Sequence, residues 1–201
     1  MNVRAIVLMM LLDGTLAGAA AAADYRALPL YQSVATAHVI RVEGEGVVEV
    51  AYPTAQALFE KDDILDAVQE AYAALLPEGE RPEFEVVSGG DRTWSYVNRH
   101  GERSRVVELH RDIRPEERAF LVYFTEGERF FGSFRAVIEI TVTPTDAASS
   151  RYDVRVLAYP ERSVSRFFAR HLGIAERFFR SKTREVTDLT VTICRFLMPA
   201  G

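Results

Sequence analysis

Apolar residues over 161–197 recur in steps of three and four: Val164, Phe167 and Phe168, Leu172, Ala175, Phe178 and Phe179, Val186, Leu189, Ile193, Phe196 and Leu197. That spacing puts them on one face of an α-helix and predicts a long amphipathic terminal helix. Arg166, Arg170, Arg177, Arg180 and Arg184 fall mostly off the stripe, and no proline interrupts it. Gly173 is the point at which it can break into a short helix and a long one, and the stripe lapses at Lys182 and Thr183. An aromatic face of this length needs a broad partner surface to cover it.

Upstream the period becomes two. In 130–143, Phe130, Gly132, Phe134, Ala136, Ile138, Ile140 and Val142 alternate with Phe131, Ser133, Arg135, Val137, Glu139, Thr141 and Thr143. This is the pattern of an antiparallel strand covered on one face and wet on the other. The stretch 151–159 repeats it, with Tyr152, Val154, Val156 and Ala158 set against Arg151, Asp153 and Arg155. Shorter strands are predicted at 84–87, 93–98, 104–113 and 119–125, separated by turn residues. The first strand is read as 36–51, bent or bulged where Gly44 and Gly46 relax the backbone. After Tyr52 and Pro53, Thr54 is expected to cap a helix. Lys61, Asp62 and Asp63 divide it from a second helix, capped by Asp62 or Asp63 and running to Pro77. Residues 24–35 carry no periodicity that assigns an element.

The first 23 residues read as a targeting segment. Arg4 precedes a short apolar run, and Ala21 and Ala23 complete an A-x-A pattern, so cleavage is expected before Asp24. The run is about eight residues, against the ~20 that span a bilayer. Asp13 is unusual beside a signal core; the alternative is an alanine-rich helix that stays attached. The remainder, 24–201, has the length and the ordinary composition of one globular domain, the whole chain being 48% hydrophobic and 26% charged. A net charge of −5 gives no reason to expect a nucleic-acid partner. The single cysteine, Cys194, cannot form an internal disulfide, so packing must hold the domain. Export without a disulfide points to a periplasmic or secreted protein.

The chemistry is sparse. The four histidines show no metal-ligand spacing, and neither Gly89-Gly90 nor the Gly44/Gly46 pair opens a phosphate loop, so no metal and no cofactor is expected. No nucleophile elbow is present. Glu108 and Glu139 sit on strands, where pairing with arginines on the outer face would make a charge ladder. His38 alone shares strand parity with Ile40 and Val42; it is a general base only with a substrate proton in reach, and a satisfied core histidine is the commoner outcome.

One long strand, two short helices, a run of antiparallel strands and a long terminal helix follow one another over 36–197. That order resembles the helix-grip fold of the START-like superfamily, which includes Bet v 1-like proteins, polyketide cyclases and lipid-transfer domains. The local stretch most similar to it is 48–59, a strand, a proline step and a helix. The resemblance implies an α+β fold: a seven-stranded curved antiparallel sheet wrapped around the terminal helix, with a cavity between them. Residues expected to line it are His38, Ile40, Trp94, Phe120, Phe124, Phe134, Ala136, Ile138, Phe168, Leu172 and Phe179. Small residues at Gly132 and Ala136 would leave room among the aromatics. Three functions fit. The first is binding or carriage of a hydrophobic, lipid-like small molecule, with the terminal arginines meeting anionic headgroups at a membrane surface. The second is a cyclase or aromatase-type enzyme in which His38 or a buried carboxylate moves a proton. The third is a filled-core domain that binds a protein partner. The lack of catalytic motifs and the export pattern favour the first, a binding protein and not an enzyme.

Overall fold

The computed structural model describes residues 24–161, apart from 38, 81, 83, 99, 100, 130 and 131. The expected signal segment and the predicted terminal helix, with Gly173 and Cys194, lie outside the described residues. Seven strands form one antiparallel sheet: β1 (Ile40–Val48), β2 (Phe84–Gly90), β3 (Thr93–Asn98), β4 (Arg103–Arg114), β5 (Arg118–Arg129), β6 (Gly132–Pro144) and β7 (Ser150–Pro160). Their spatial order is β1-β7-β6-β5-β4-β3-β2, and the sheet is curved. Helix α1 (Pro29–Ala35) precedes β1, while α2 (Tyr52–Phe59) and α3 (Ile64–Leu75) separate β1 from β2. Because β1 and β2 are opposite edges, the chain between them crosses the sheet, and α2 and α3 lie on the face they cross.

That inner face holds the main core. Tyr52, Leu58, Phe59 and Ile64 from the helices pack on Trp94, Ala119, Leu121, Tyr123 and Val142. The register explains the choice: Val142 opposes Ala119, Ile140 opposes Leu121 and Ile138 opposes Tyr123, so alternate residues of β5 and β6 meet on one face. Each large apolar side chain so buried contributes about 1.5–3 kcal/mol. The Tyr52 hydroxyl donates to the Arg114 carbonyl at 2.9 Å, which pins α2 beneath the β4–β5 turn. Pro53 occupies the first turn of α2, so Thr54 lies inside the helix and does not cap it. Asp63 sits at the start of α3 without a side-chain capping bond.

Two expectations change. The first strand is shorter than 36–51, and its pairing with β7 runs unbroken from Ile40 to Val48, so the glycines make no bulge. Gly46 instead admits the Tyr152 ring, since a Cβ there would come within 2.6 Å of the phenol oxygen. The second change concerns the other face of the sheet, which is not simply wet. Tyr31 and Val34 of α1 pack there on Val122, Phe124, Val137 and Leu157, with Leu30, Ala35 and Phe120 alongside. Residues 24–35 therefore form a strap across the outer face. Two signals for it are visible in retrospect: the three-and-four spacing of Tyr31, Val34 and Ala35, and the run of 119–124, apolar at every position, as in a strand covered on both faces.

Val34 is fully buried in that strap. Val34→Ala is expected to destabilise the domain by about 2 kcal/mol, from two lost carbon groups and the cavity they leave. Urea unfolding is the measurement. A loss within experimental error would mean that the strap detaches without consequence for the sheet.

Candidate functional site

The inner face divides into two ends. Large side chains fill the end beneath α2 and α3. Away from the helices the side chains shrink: the cross-strand row from β4 to β1 reads Val106, Thr125, Ala136, Ala158 and Ile40. The next row reads Ser104, Gly127, Phe134 and Pro160. Phe134, Ala136, Ala158, Val42 and Val156 form one apolar cluster, with Ile40 and Ile138 against it. Of the expected lining residues, Ile40, Phe134, Ala136 and Ile138 are thus brought together. Trp94 continues the first row on β3, opposite Val106, but packs into the helix-covered cluster, its indole N–H donating to Asp66 Oδ2 at 3.0 Å. Phe120 and Phe124 are corrected: they oppose Thr141 and Val137, so register puts them on the outer face, in the cluster beneath the strap. His38, Phe168, Leu172 and Phe179 lie outside the described residues.

A second correction concerns Glu108. A β-bulge in β4 places Leu109 and His110 together opposite Val122, and the parity of the strand changes there. Glu108 and Arg111, three residues apart, consequently share the inner face, whereas a regular strand would separate them. The Glu108 side chain is 1% exposed and that of Arg111 8%. Arg111 Nε donates to Glu108 Oε1 at 3.0 Å and Nη2 to Oε2 at 2.5 Å, a bidentate pair. Arg111 Nη1 also donates to the Lys61 carbonyl at 2.8 Å, tying the α2–α3 connection to the sheet.

Arg92 reaches the same carboxylate from the β2–β3 turn, at 3.1 Å to Glu108 Oε1, and holds Asp62 at 3.2 Å. Asp91 and Arg92 both have positive φ, 47° and 54°, the two-residue turn that suits a twisted hairpin. The Tyr123 hydroxyl completes the cluster on Glu108; burial pushes its pKa far above the ordinary phenol value, and the Glu108 charge adds to the effect. Both Glu108 oxygens are taken up by guanidinium groups, and a phenol so placed keeps its proton. The cluster is a latch between helices and sheet.

On the outer face Glu139 does stand in a charge ladder. It is 6% exposed, takes Arg155 Nε at 2.6 Å on Oε2, and accepts the hydroxyls of Tyr31 at 3.2 Å and Tyr25 at 3.4 Å on Oε1. His110 stacks on Tyr25 at 5.2 Å between ring centres. Beside this cluster an open groove of about 530 Å³ runs over Glu43, Glu45, Asp153 and Thr141. Arg151 pairs with Glu45 and lies 3.4 Å from Asp153, so much of its charge is compensated. Among the described residues no group of acidic, histidine or cysteine side chains is placed to hold a metal ion.

Solved structures share this architecture. Truncated norcoclaurine synthase from Thalictrum flavum is 11% identical, with a TM-score of 0.54 over 81% of this chain and 96% of that one. The same plant's enzyme in complex with dopamine and hydroxybenzaldehyde gives 12% and 0.52, over 79% and 86%. A conserved protein from Geobacillus kaustophilus gives 12% and 0.51, over 78% and 93%. The chain has the Bet v 1/START-like fold. No family model matches the chain, and no curated protein matches it. At these identities the likeness is one of fold, and the chemistry of this START-like sheet has to be argued from its own residues.

Two outcomes test the latch. Glu108→Gln leaves the buried Arg111 guanidinium without its bidentate counter-charge and is expected to destabilise the domain by about 3 kcal/mol in urea unfolding. The second outcome is a pH dependence. Tyr123 binds its proton more tightly folded than unfolded, so its contribution is complete below the unfolded phenol value of about 10 and is lost as pH rises toward the folded one. Unfolding free energy should therefore fall above about pH 10, and Tyr123→Phe should flatten that fall. An unchanged slope in Tyr123→Phe would remove Tyr123 from the account.

Proposed function

We propose that this protein binds a small hydrophobic molecule against the inner face of its START-like sheet and holds it without chemical change. The observation that carries the proposal is the division of that face. Helices α2 and α3 cover the end with large side chains, while Thr125, Ala136, Ala158 and Gly127 keep the other end small beside Phe134. Ligand sites are typically apolar, with few polar groups, and this end has that composition. The predicted terminal helix, with its aromatic stripe, would supply the remaining wall. That a protein of this fold was solved with dopamine and hydroxybenzaldehyde supports a small organic ligand here.

Binding is favoured over catalysis because Glu108 and Tyr123, buried on the inner face, are committed to Arg111 and Arg92. The A-x-A pattern ahead of Asp24 supports a periplasmic setting, and a lipid-like ligand suits an arginine-rich terminal helix that meets anionic headgroups.

Native mass spectrometry of the protein expressed with its leader in a bacterial host, followed by organic extraction, tests this. The expected result is a periplasmic chain beginning at Asp24 with an apolar species bound. Ala136→Phe, which fills the small-residue row, should lower occupancy at least tenfold, as should Ala158→Leu if the first variant does not accumulate. Val47→Phe, at an exposed edge position, should leave occupancy unchanged. A mass equal to the polypeptide alone, with no uptake of a fluorescent fatty acid or of 2-naphthol, would sink the binding reading.

A further inference from the structure

Ser104 stands at the small-residue end of the inner face with an idle hydroxyl. The residue is 6% exposed, and among the described residues Oγ has no hydrogen-bond partner. Buried polar groups are nearly always paired, so a bare one calls for a reason. Two arginine Nε atoms in the sheet also lack an aligned hydrogen bond, but Arg118 reaches Asp112 through Nη2, and the Arg135 Nε lies 2.9 Å from the Glu161 carboxylate. Ser104 has only the one group.

Its position supplies the reason. Ser104 faces Gly127 across the β4–β5 ladder, with Phe134 next on β6 and Tyr96 opposite on β3. A Cβ at residue 127 would stand 2.5 Å from Ser104 Oγ and 2.5 Å from the Arg103 carbonyl, so glycine is what leaves space around the hydroxyl. The surface it shares with Phe134 runs directly into the row of Thr125, Ala136 and Ala158. A serine hydroxyl both donates and accepts, and its inner-face neighbours Tyr96, Val106, Gly127 and Phe134 carry no charge. Of the charged side chains described on this parity, Glu102, one row further out, takes the Asn98 amide at 2.6 Å, and Glu108 and Arg111, two and three rows further in, are engaged with each other.

We infer that Ser104 is the polar anchor of the inner-face site, and that the ligand is an apolar molecule bearing a neutral oxygen function, an alcohol, phenol or ketone, and not a bare hydrocarbon or an ionised acid. An anion set beside one hydroxyl and apolar walls would lose its hydration without a counter-charge. The inference rests on the binding reading above and refines it to a ligand class.

Three naphthalene probes of similar shape separate the two claims: 2-naphthol, 2-methylnaphthalene and 2-naphthoate, titrated by their own fluorescence at pH 7. The wild-type protein is expected to bind the first two and to bind 2-naphthoate at least tenfold more weakly than 2-naphthol. Ser104→Ala should weaken 2-naphthol about fivefold, the worth of one net hydrogen bond, and leave 2-methylnaphthalene within about twofold. Ser104→Thr should keep part of the 2-naphthol affinity, and the free Ser104→Ala protein should melt no lower than wild type, because the hydroxyl supports nothing in the unliganded fold. Ser104→Cys, close in volume and a weak donor, gives the same comparison if the alanine variant does not accumulate. Equal effects of Ser104→Ala on both neutral probes, or none on either, overturn the anchor while leaving the binding reading intact. Tight binding of 2-naphthoate overturns the ligand class. Failure of all three probes to bind the wild type, together with a mass equal to the polypeptide alone, removes the binding reading and the anchor with it; failure of the probes beside a co-purified apolar species overturns the ligand class alone.

Discussion

The middle of the sheet must be covered on both faces. Strand β5 is apolar at every position from 119 to 124, so neither of its faces tolerates water, and its neighbours inherit that demand through register. The inner face is covered because the chain between β1 and β2 has to cross the sheet. The outer face is covered by a separate device, the strap at 24–35. A strap so short cannot bring enough apolar surface to hold by packing alone, and it adds a directional tether: the hydroxyls of Tyr25 and Tyr31 converge on Glu139. A buried carboxylate would be costly there without Arg155, which supplies the charge and a close hydrogen bond from the next strand.

The bulge in β4 serves the same end by different means. A sheet under crossing helices needs its helices fixed in position, and apolar contact is poorly directional. Shifting strand parity once, between Glu108 and His110, sets a carboxylate and a guanidinium side by side on the buried face. From there Arg111 reaches the backbone of the α2–α3 connection and Arg92 reaches Asp62. The polar groups that look most like catalytic machinery are thereby consumed in holding α2 and α3 over one end of the face. Among the described residues no such network is built at the other end.

Much of this was legible in the sequence. Period-two alternation located β6 and β7, turn residues located the hairpins, and Pro53 with Lys61-Asp62-Asp63 separated β1, α2 and α3. Element order was enough to bring the START-like fold into view. The site was legible in part. Ile40, Phe134, Ala136 and Ile138 came together because simple parity holds along β1 and β6, which have no bulge. Phe120 and Phe124 were misplaced because β5 is apolar on both faces, and parity within it does not say which face is which. Glu108 was misplaced because a bulge has no reliable signature in a charged stretch such as 108–112. Helix α1 was hidden by its length, since the spacing of Tyr31, Val34 and Ala35 spans little more than one turn.

The division of the inner face bears on how this START-like domain would hold anything. In a sheet of uniform large side chains the helices could seal the whole face and leave a solid core. Here the side chains shrink where the helices end: Thr125, Ala136, Ala158 and Gly127 occupy adjoining positions on three neighbouring strands, in register. Chance runs of small residues along one strand are common, whereas a row of them across strands removes volume at a single depth of the fold. Gly127 cannot be enlarged without meeting the backbone of β4, so one of the four is fixed by strand approach. Thr125, Ala136 and Ala158 already carry a Cβ beside it in register. Larger apolar residues there would add buried area at about 25 cal/mol per Å². Among the described residues, their small size gives up that stabilisation away from the buried Glu108–Arg111 pair, as a domain shaped to receive an apolar body would.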